Sequence, residues 1–156
     1  MDTSHWIWLA TAAYGIHALE EFILDWRDWA RNVFGLPVEW SHFYVVNFLV
    51  IVLGIVGANV VTATPWLGLG FAGLMIINAL FFHIAPMIWT RGRYSPGVAT
   101  AVLFLLPVGL LCFRAQNIRL PLAWTDVSGS LLVGALLMAT PIILLKIKDL
   151  PYFKQN

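Results

Sequence analysis

Five runs of about 20 mostly apolar residues fill most of this sequence, and a helix rising 1.5 Å per residue needs that length to cross roughly 30 Å of hydrocarbon. They are Trp6–Leu24, Trp40–Ala63, Pro65–Trp89, Pro96–Phe113 and Asp126–Ile147. The composition points the same way: of 156 residues, 60% are hydrophobic and 11% charged, where a soluble domain carries about 25% charged residues. The expectation is an all-α, polytopic transmembrane bundle of five helices. It forms a single domain over residues 1–156, because no stretch is polar and long enough for a second folded unit. The lone Cys112 excludes an intrachain disulfide and a cysteine-rich metal site, and a net charge of +1 gives no reason to expect nucleic acid. The first run lacks a basic flank and contains His17, Glu20 and Glu21, so it reads as a retained span and not as a cleaved signal peptide.

Between the first two runs, Asp25–Phe34 puts Trp26, Trp29 and Val33 on one helical face and Asp25, Asp28 and Asn32 on another. That is the pattern of an amphipathic helix lying in the membrane interface. Around Thr64 there is space only for a tight hairpin, and Pro65 suits the first turn of the next helix. Pro86, Pro107 and Pro141 fall inside runs, where Pro86 frees the carbonyl of Phe82 from helical bonding. Gly68 and Ala72 make a small-xxx-small pair for close helix packing. Of the nine Lys and Arg, Arg27, Arg31, Arg91, Arg93, Lys146, Lys148 and Lys154 fall on one side and Arg114 and Arg119 on the other. Short basic loops stay in the cytoplasm, so the N-terminus is expected outside and the C-terminus inside, in a plasma or inner membrane.

A carboxylate or imidazole at bilayer depth is costly enough to mark a functional site. His17, Glu20 and Glu21 come late in the first run, His42 and Asn47 early in the second, and Asn78 and His83 late in the third. Alternating spans bring all of these to the cytoplasmic half, very roughly 5–17 Å below the boundary with His42 shallower, and the outer half holds nothing comparable. A half-depth pocket follows, and not a route across the membrane. His17 lies i,i+4 from Glu21 and i,i+3 from Glu20, so both carboxylates reach its side of the helix while diverging from each other by about 100°. A local His17–Glu21 charge pair is the plainer alternative. It leaves the burial of Glu20 and the arrival of His83 at the same depth without a reason. Asn78 and His83 are i,i+5, about 140° apart on an ideal helix, and converge only if the helix is distorted, which Pro86 can supply. Asn78 is matched equally by a substrate contact and an interhelical hydrogen bond; for His42 and Asn47, anchor and helix glue are the better readings.

Three motifs appear in order. His17-Ala18-Leu19-Glu20-Glu21 reads as HXXEE, Asn78-Ala79 followed by His83 looks like an Asn-to-His motif, and Arg91-Gly92-Arg93-Tyr94-Ser95-Pro96-Gly97 reads as RXXYXPG. Together they resemble the HXXEE family of small membrane proteins of unknown function, over the first two thirds of the chain. The resemblance implies an integral-membrane enzyme without naming a reaction. The family pattern places His four residues after Asn, and here the interval is five.

Two imidazoles and a carboxylate with open positions are the ligand set of catalytic zinc hydrolases and non-haem iron oxygenases. His17, Glu21 and His83 supply it, with a divalent zinc or iron ion as the expected cofactor. Glu20 is then a further ligand or the general base beside a metal-bound water. Asn78, with Asn47 near the cavity wall, would orient the substrate, a lipid or other hydrophobic small molecule from the inner leaflet. Arg91 and Tyr94 would close the pocket, Arg91 pairing an anionic head group and Tyr94 donating a proton or hydrogen bond. A metal-free alternative is an acid–base isomerase or cyclase of sterol or terpene type. Haem held by His17 and His83 ranks lower, because two carboxylates crowd it. A transporter or proton channel ranks lowest for want of polar groups in the outer half. Membrane lipids are the expected surroundings, and a homo-oligomer is left open.

Overall fold

The computed structural model describes residues 2–147 and 150–152, so Lys148 and Lys154 lie outside the described residues. Six helices follow one another: α1 (Thr3–Ile23), α2 (Trp26–Phe34), α3 (Trp40–Val60), α4 (Pro65–Trp89), α5 (Val98–Arg119) and α6 (Trp124–Ile147). Among the described residues, four helices, α3 to α6, are long and apolar enough to cross a membrane. The protein is therefore a polytopic membrane protein, all-helical among the described residues. The fifth expected span, α1, has the same 21-residue length as α3. It is not one of the four, because His5, His17, Glu20 and Glu21 lower its apolarity.

Helix ends depart from the apolar runs for local reasons. Helix α1 starts at Thr3 because the Asp2 carboxylate caps it, accepting from the His5 amide. Helix α2 starts at Trp26 because Asp25 takes a left-handed conformation, φ 55°, and caps with its side chain. Pro96 and a left-handed Gly97, φ 95°, delay α5 to Val98. At its far end α5 continues past Phe113 to Arg119 and buries Gln116, so the end of the bundle remote from His17 and His83 is less bare of polar groups than the apolar run implied. Helix α2 turns Trp29 and Ala30 onto Val38, with Trp26, Val33, Phe34 and Leu36 around them. This is the expected apolar face, folded back on its own following loop.

Helix α4 is the hub. It packs against α1, α3, α5 and α6, while α1 also lies between α3 and α5. Its most apolar stretch is 61% buried against 11% for that of α6. Close backbone approach makes this possible. A Cβ on Gly68 would sit 2.4 Å from the Cα of Val61, the residue that caps α3, and one on Gly134 of α6 would sit 2.4 Å from the Leu74 nitrogen of α4. The Ala72 half of the small-residue pair serves α5, its carbonyl lying 3.2 Å from the Cβ position of Gly109.

Neither α4 nor α5 is regular. Residues Asn78–Ile84 of α4 and Ala101–Leu105 of α5 form π-helical turns. Each ends two residues before a proline, with Ala85 standing between Ile84 and Pro86 and Leu106 between Leu105 and Pro107. A proline lacks the amide for the i−4 bond and clashes with that carbonyl, and a widened turn relieves both demands.

Substituting Gly68→Ala should destabilise the protein by about 1–3 kcal/mol, because the new methyl meets backbone that cannot rotate away. Gly15→Ala, with nothing within 4 Å of its added carbon, should be neutral or stabilising. Thermal unfolding in detergent compares the two.

Candidate metal centre

His17 and Glu21 stack one turn apart near the end of α1, and the π turn of α4 swings His83 onto them. With i,i+5 hydrogen bonding, residues five apart come close to one face, so Asn78 and His83 both turn to the site. Glu21 Oε1 lies 3.5 Å from His17 Nε2 and 3.4 Å from His83 Nε2. All three side chains are buried, and the imidazoles meet edge to face with centroids 4.7 Å apart. Ligand atoms of the three residues fall within 4.8 Å of one another, and this is the group of that kind among the described residues. Donors held tetrahedrally at about 2.0–2.2 Å from one ion lie about 3.3–3.6 Å apart. The two observed separations fall in that interval.

Hydroxyl groups set which imidazole nitrogens face inward. Thr100 Oγ1 donates to Glu20 Oε2 at 2.5 Å and thus accepts from His17 Nδ1 at 2.9 Å. Ser95 Oγ lies 3.2 Å from His83 Nδ1 and donates to the Phe82 carbonyl at 3.5 Å, the carbonyl that Pro86 releases. In neutral rings with Nδ1 donating to these hydroxyls, both Nε2 lone pairs turn toward Glu21. Asn78 Nδ2 approaches His17 Nε2 at 3.3 Å. His83 Nε2 is buried without a hydrogen-bond partner. Burying two imine nitrogens and a carboxylate oxygen together is unfavourable unless a cation or proton sits among them.

Glu20 points elsewhere. Its carboxylate accepts from Tyr94 Oη at 2.5 Å, from the amides of Gly97, Ala99 and Thr100 at 3.2, 3.3 and 2.8 Å, and from Thr100 Oγ1. These amides are the unpaired first-turn donors of α5, so Glu20 caps that helix from α1. Tyr94 is half-exposed; desolvation and the Glu20 carboxylate push its phenol up to about 12, so it stays protonated and donating. Arg91, also left-handed at φ 55°, is exposed on the same loop. The loop then presents Gly97 to the site. A Cβ there would lie 2.7 Å from His83 Cε1, 2.8 Å from His17 Cε1 and 2.9 Å from Glu21 Cγ.

On the opposite side an apolar cavity of about 460 Å³ reaches Glu21 and Asn78. Asn47 is on its wall with both ends of its amide engaged, accepting from Tyr14 Oη at 2.8 Å and donating to the Phe43 carbonyl at 2.9 Å. His42 is taken up by the start of α3, where its Nδ1 accepts from the Glu39 amide at 3.1 Å.

Of the expected site residues, the fold unites His17, Glu21, His83 and Asn78, sets Asn47 on the adjoining cavity, and gathers Glu20 and Tyr94 into the loop clasp. Ser95, Gly97 and Thr100 were not foreseen. Ser95 and Gly97 belong to the RXXYXPG run, whereas Thr100 carries no signal beyond a hydroxyl in an apolar stretch.

A family profile described as "Protein of unknown function with HXXEE motif" matches residues 8–112, a range that holds all three motifs. The chain belongs to this HXXEE family. An HXXEE chain of this kind is also similar to the uncharacterized protein YrkK of Bacillus subtilis (strain 168), at 28% identity over 147 residues, covering 88% of this chain and 91% of that one. No solved structure matches.

Gly92 and Gly97 share a left-handed backbone, φ 92° and 95°, but only Gly97 has neighbours within 4 Å of an added carbon. Alanine at either should cost about 1–3 kcal/mol in backbone strain. Gly97→Ala should lose a further ~1–3 kcal/mol through collision with the site. The difference between their unfolding midpoints measures the contact itself.

Proposed function

We propose that this protein is a metal-dependent integral-membrane enzyme acting on a lipid or other hydrophobic small molecule, with His17 Nε2, His83 Nε2 and Glu21 holding one divalent ion of zinc or iron. The observation that carries this reading is the buried His83 Nε2, unpartnered and 3.4 Å from Glu21 Oε1. Three protein donors leave coordination positions for water and substrate. Glu21 and Asn78 are the site residues that line the apolar cavity, which makes that side the route of approach. The ion would polarise a bound oxygen, and Asn78 would orient the group that meets it. Glu20, with both oxygens occupied by the loop, is assigned to holding the site shut on that side and not to proton transfer. Through Thr100 it also fixes the His17 tautomer, the outer support that metal-binding histidines need. The 4.7 Å separation of the imidazole rings leaves no space for a porphyrin between them.

On this reading α1 is a fifth crossing: it matches α3 in length and packs along α3 and α5. The basic residues put the Arg91–Gly97 loop and the C-terminus in the cytoplasm. Reporter fusions after Lys154 should be active on the cytoplasmic side only; an external C-terminus inverts the arrangement.

His17→Ala, Glu21→Ala and His83→Ala should each cut the metal content of the purified protein by about 10-fold or more, since loss of one of three ligands frees the others to protonate. Glu20→Gln should retain most of the metal while lowering the unfolding midpoint. Elemental analysis with a visible spectrum reads these outcomes. A metal-free wild type, or full occupancy in all three alanine variants, refutes the metal assignment and favours acid–base chemistry by the same residues.

A further inference from the structure

The cavity beside the metal centre is elongated along the bundle. On α3 its lining runs from Ser41 to Val50 and on α6 from Ile147 to Leu137, about 14–15 Å at 1.5 Å per residue. Its two ends differ in chemistry. Ser41, His42 and Trp26 stand at the end nearest α2, and His42 has already committed Nδ1 to the helix cap. At the far end are Val50, Leu137 and Met138, with no polar partner except the mutually bonded Tyr14 and Asn47. Glu21 is on the wall at the Ser41–His42 end, because it lies seven residues beyond Tyr14, which bonds Asn47, and its neighbour Phe22 meets Trp40; Asn78, against His17, is about a turn deeper.

A seat polar at one end, with Glu21 beside that end, and apolar at the other selects its occupant. We infer that the cavity holds a single-chain amphiphile, its hydrogen-bonding head at Ser41 and His42 and facing Glu21, and its acyl tail running past Asn78 to Val50, Leu137 and Met138. This rests on the function proposed above and narrows the substrate class to one-tailed amphiphiles. At about 460 Å³ the space is in the lower half of the range for small-molecule sites, roughly 300–1,000 Å³, which suits one chain and excludes a second. The source is the bilayer. The flanking helices α3 and α6 are both of membrane-crossing length and apolarity, and each packs on α4, which forms the back of the seat. The tail end of the cavity acts as a ruler, since a chain longer than the space must expel methylenes from apolar contact.

The test uses the full-length protein in a neutral detergent, a homologous series of saturated 1-monoacylglycerols and a diacyl phospholipid competitor, with bound species counted by native mass spectrometry. Wild type should retain one monoacylglycerol per chain with a clear optimum of chain length. Met138→Trp and Val50→Phe, which shorten the seat, should move that optimum to shorter chains, each excluded methylene lowering affinity by roughly fourfold. Leu132→Trp, on an exposed part of α6 outside the cavity, should leave it unchanged. Retention of the diacyl lipid alone, or an optimum that neither cavity variant moves, overturns the inference. Elemental analysis of the same samples separates the two claims. Length selection in metal-free wild type refutes the metal assignment and leaves the seat standing; full metal occupancy without length selection does the reverse.

Discussion

Everything near the centre of this bundle is arranged around one electrostatic problem, a carboxylate buried between two imidazoles in an apolar helix packing. Glu21 has only nitrogen neighbours on that side, and both nitrogens present lone pairs because Thr100 and Ser95 hold the opposite ring edges. With both imidazoles neutral these are three acceptors, of which His17 Nε2 alone has a donor, Asn78 Nδ2 at 3.3 Å, so the group needs a proton or cation among its members. That requirement explains why helices as far apart in sequence as α1 and α4 must sit in contact, and why the linking loop is pinned so heavily.

The pinning falls to the other glutamate of the motif. Glu20 and Glu21 are adjacent, so they leave the helix about 100° apart, one toward the imidazoles and one toward the amides at the head of α5. A single turn of α1 thus forms the centre and secures its cover. Gly97 completes the cover because any side chain there would occupy the space of His17, His83 and Glu21.

Much of this was legible in the residues. The i,i+4 spacing of His17 and Glu21, and the depth they share with His83, were enough to anticipate one group from two helices. Asn78 and His83 showed the need for a distortion and Pro86 supplied its cause, but the form it took, a π turn, is only one of the distortions a proline permits. Glu20 could not be placed from the sequence, since its partners are amides of a helix whose position follows only from packing. Helix ends were misread where capping overrode hydrophobicity, as at Asp2, Asp25 and Gly97. The first helix tests the limit of reading spans by apolarity, because the polar residues that make it chemically interesting are the ones that lower its hydropathy.

The π turn of α4 also bears on how such a helix accommodates a change in length. A widened turn houses one more residue than an α turn over nearly the same rise, so the Asn78–Ile84 segment behaves as an insertion absorbed within a helix wall. The interval of five between Asn78 and His83 is thereby brought to one face within the helix. Gly68, before the segment, lies against Val61, and Phe82, within it, is within reach of Ser95. A helix of this kind can gain or lose a residue without turning its chemistry away from the centre.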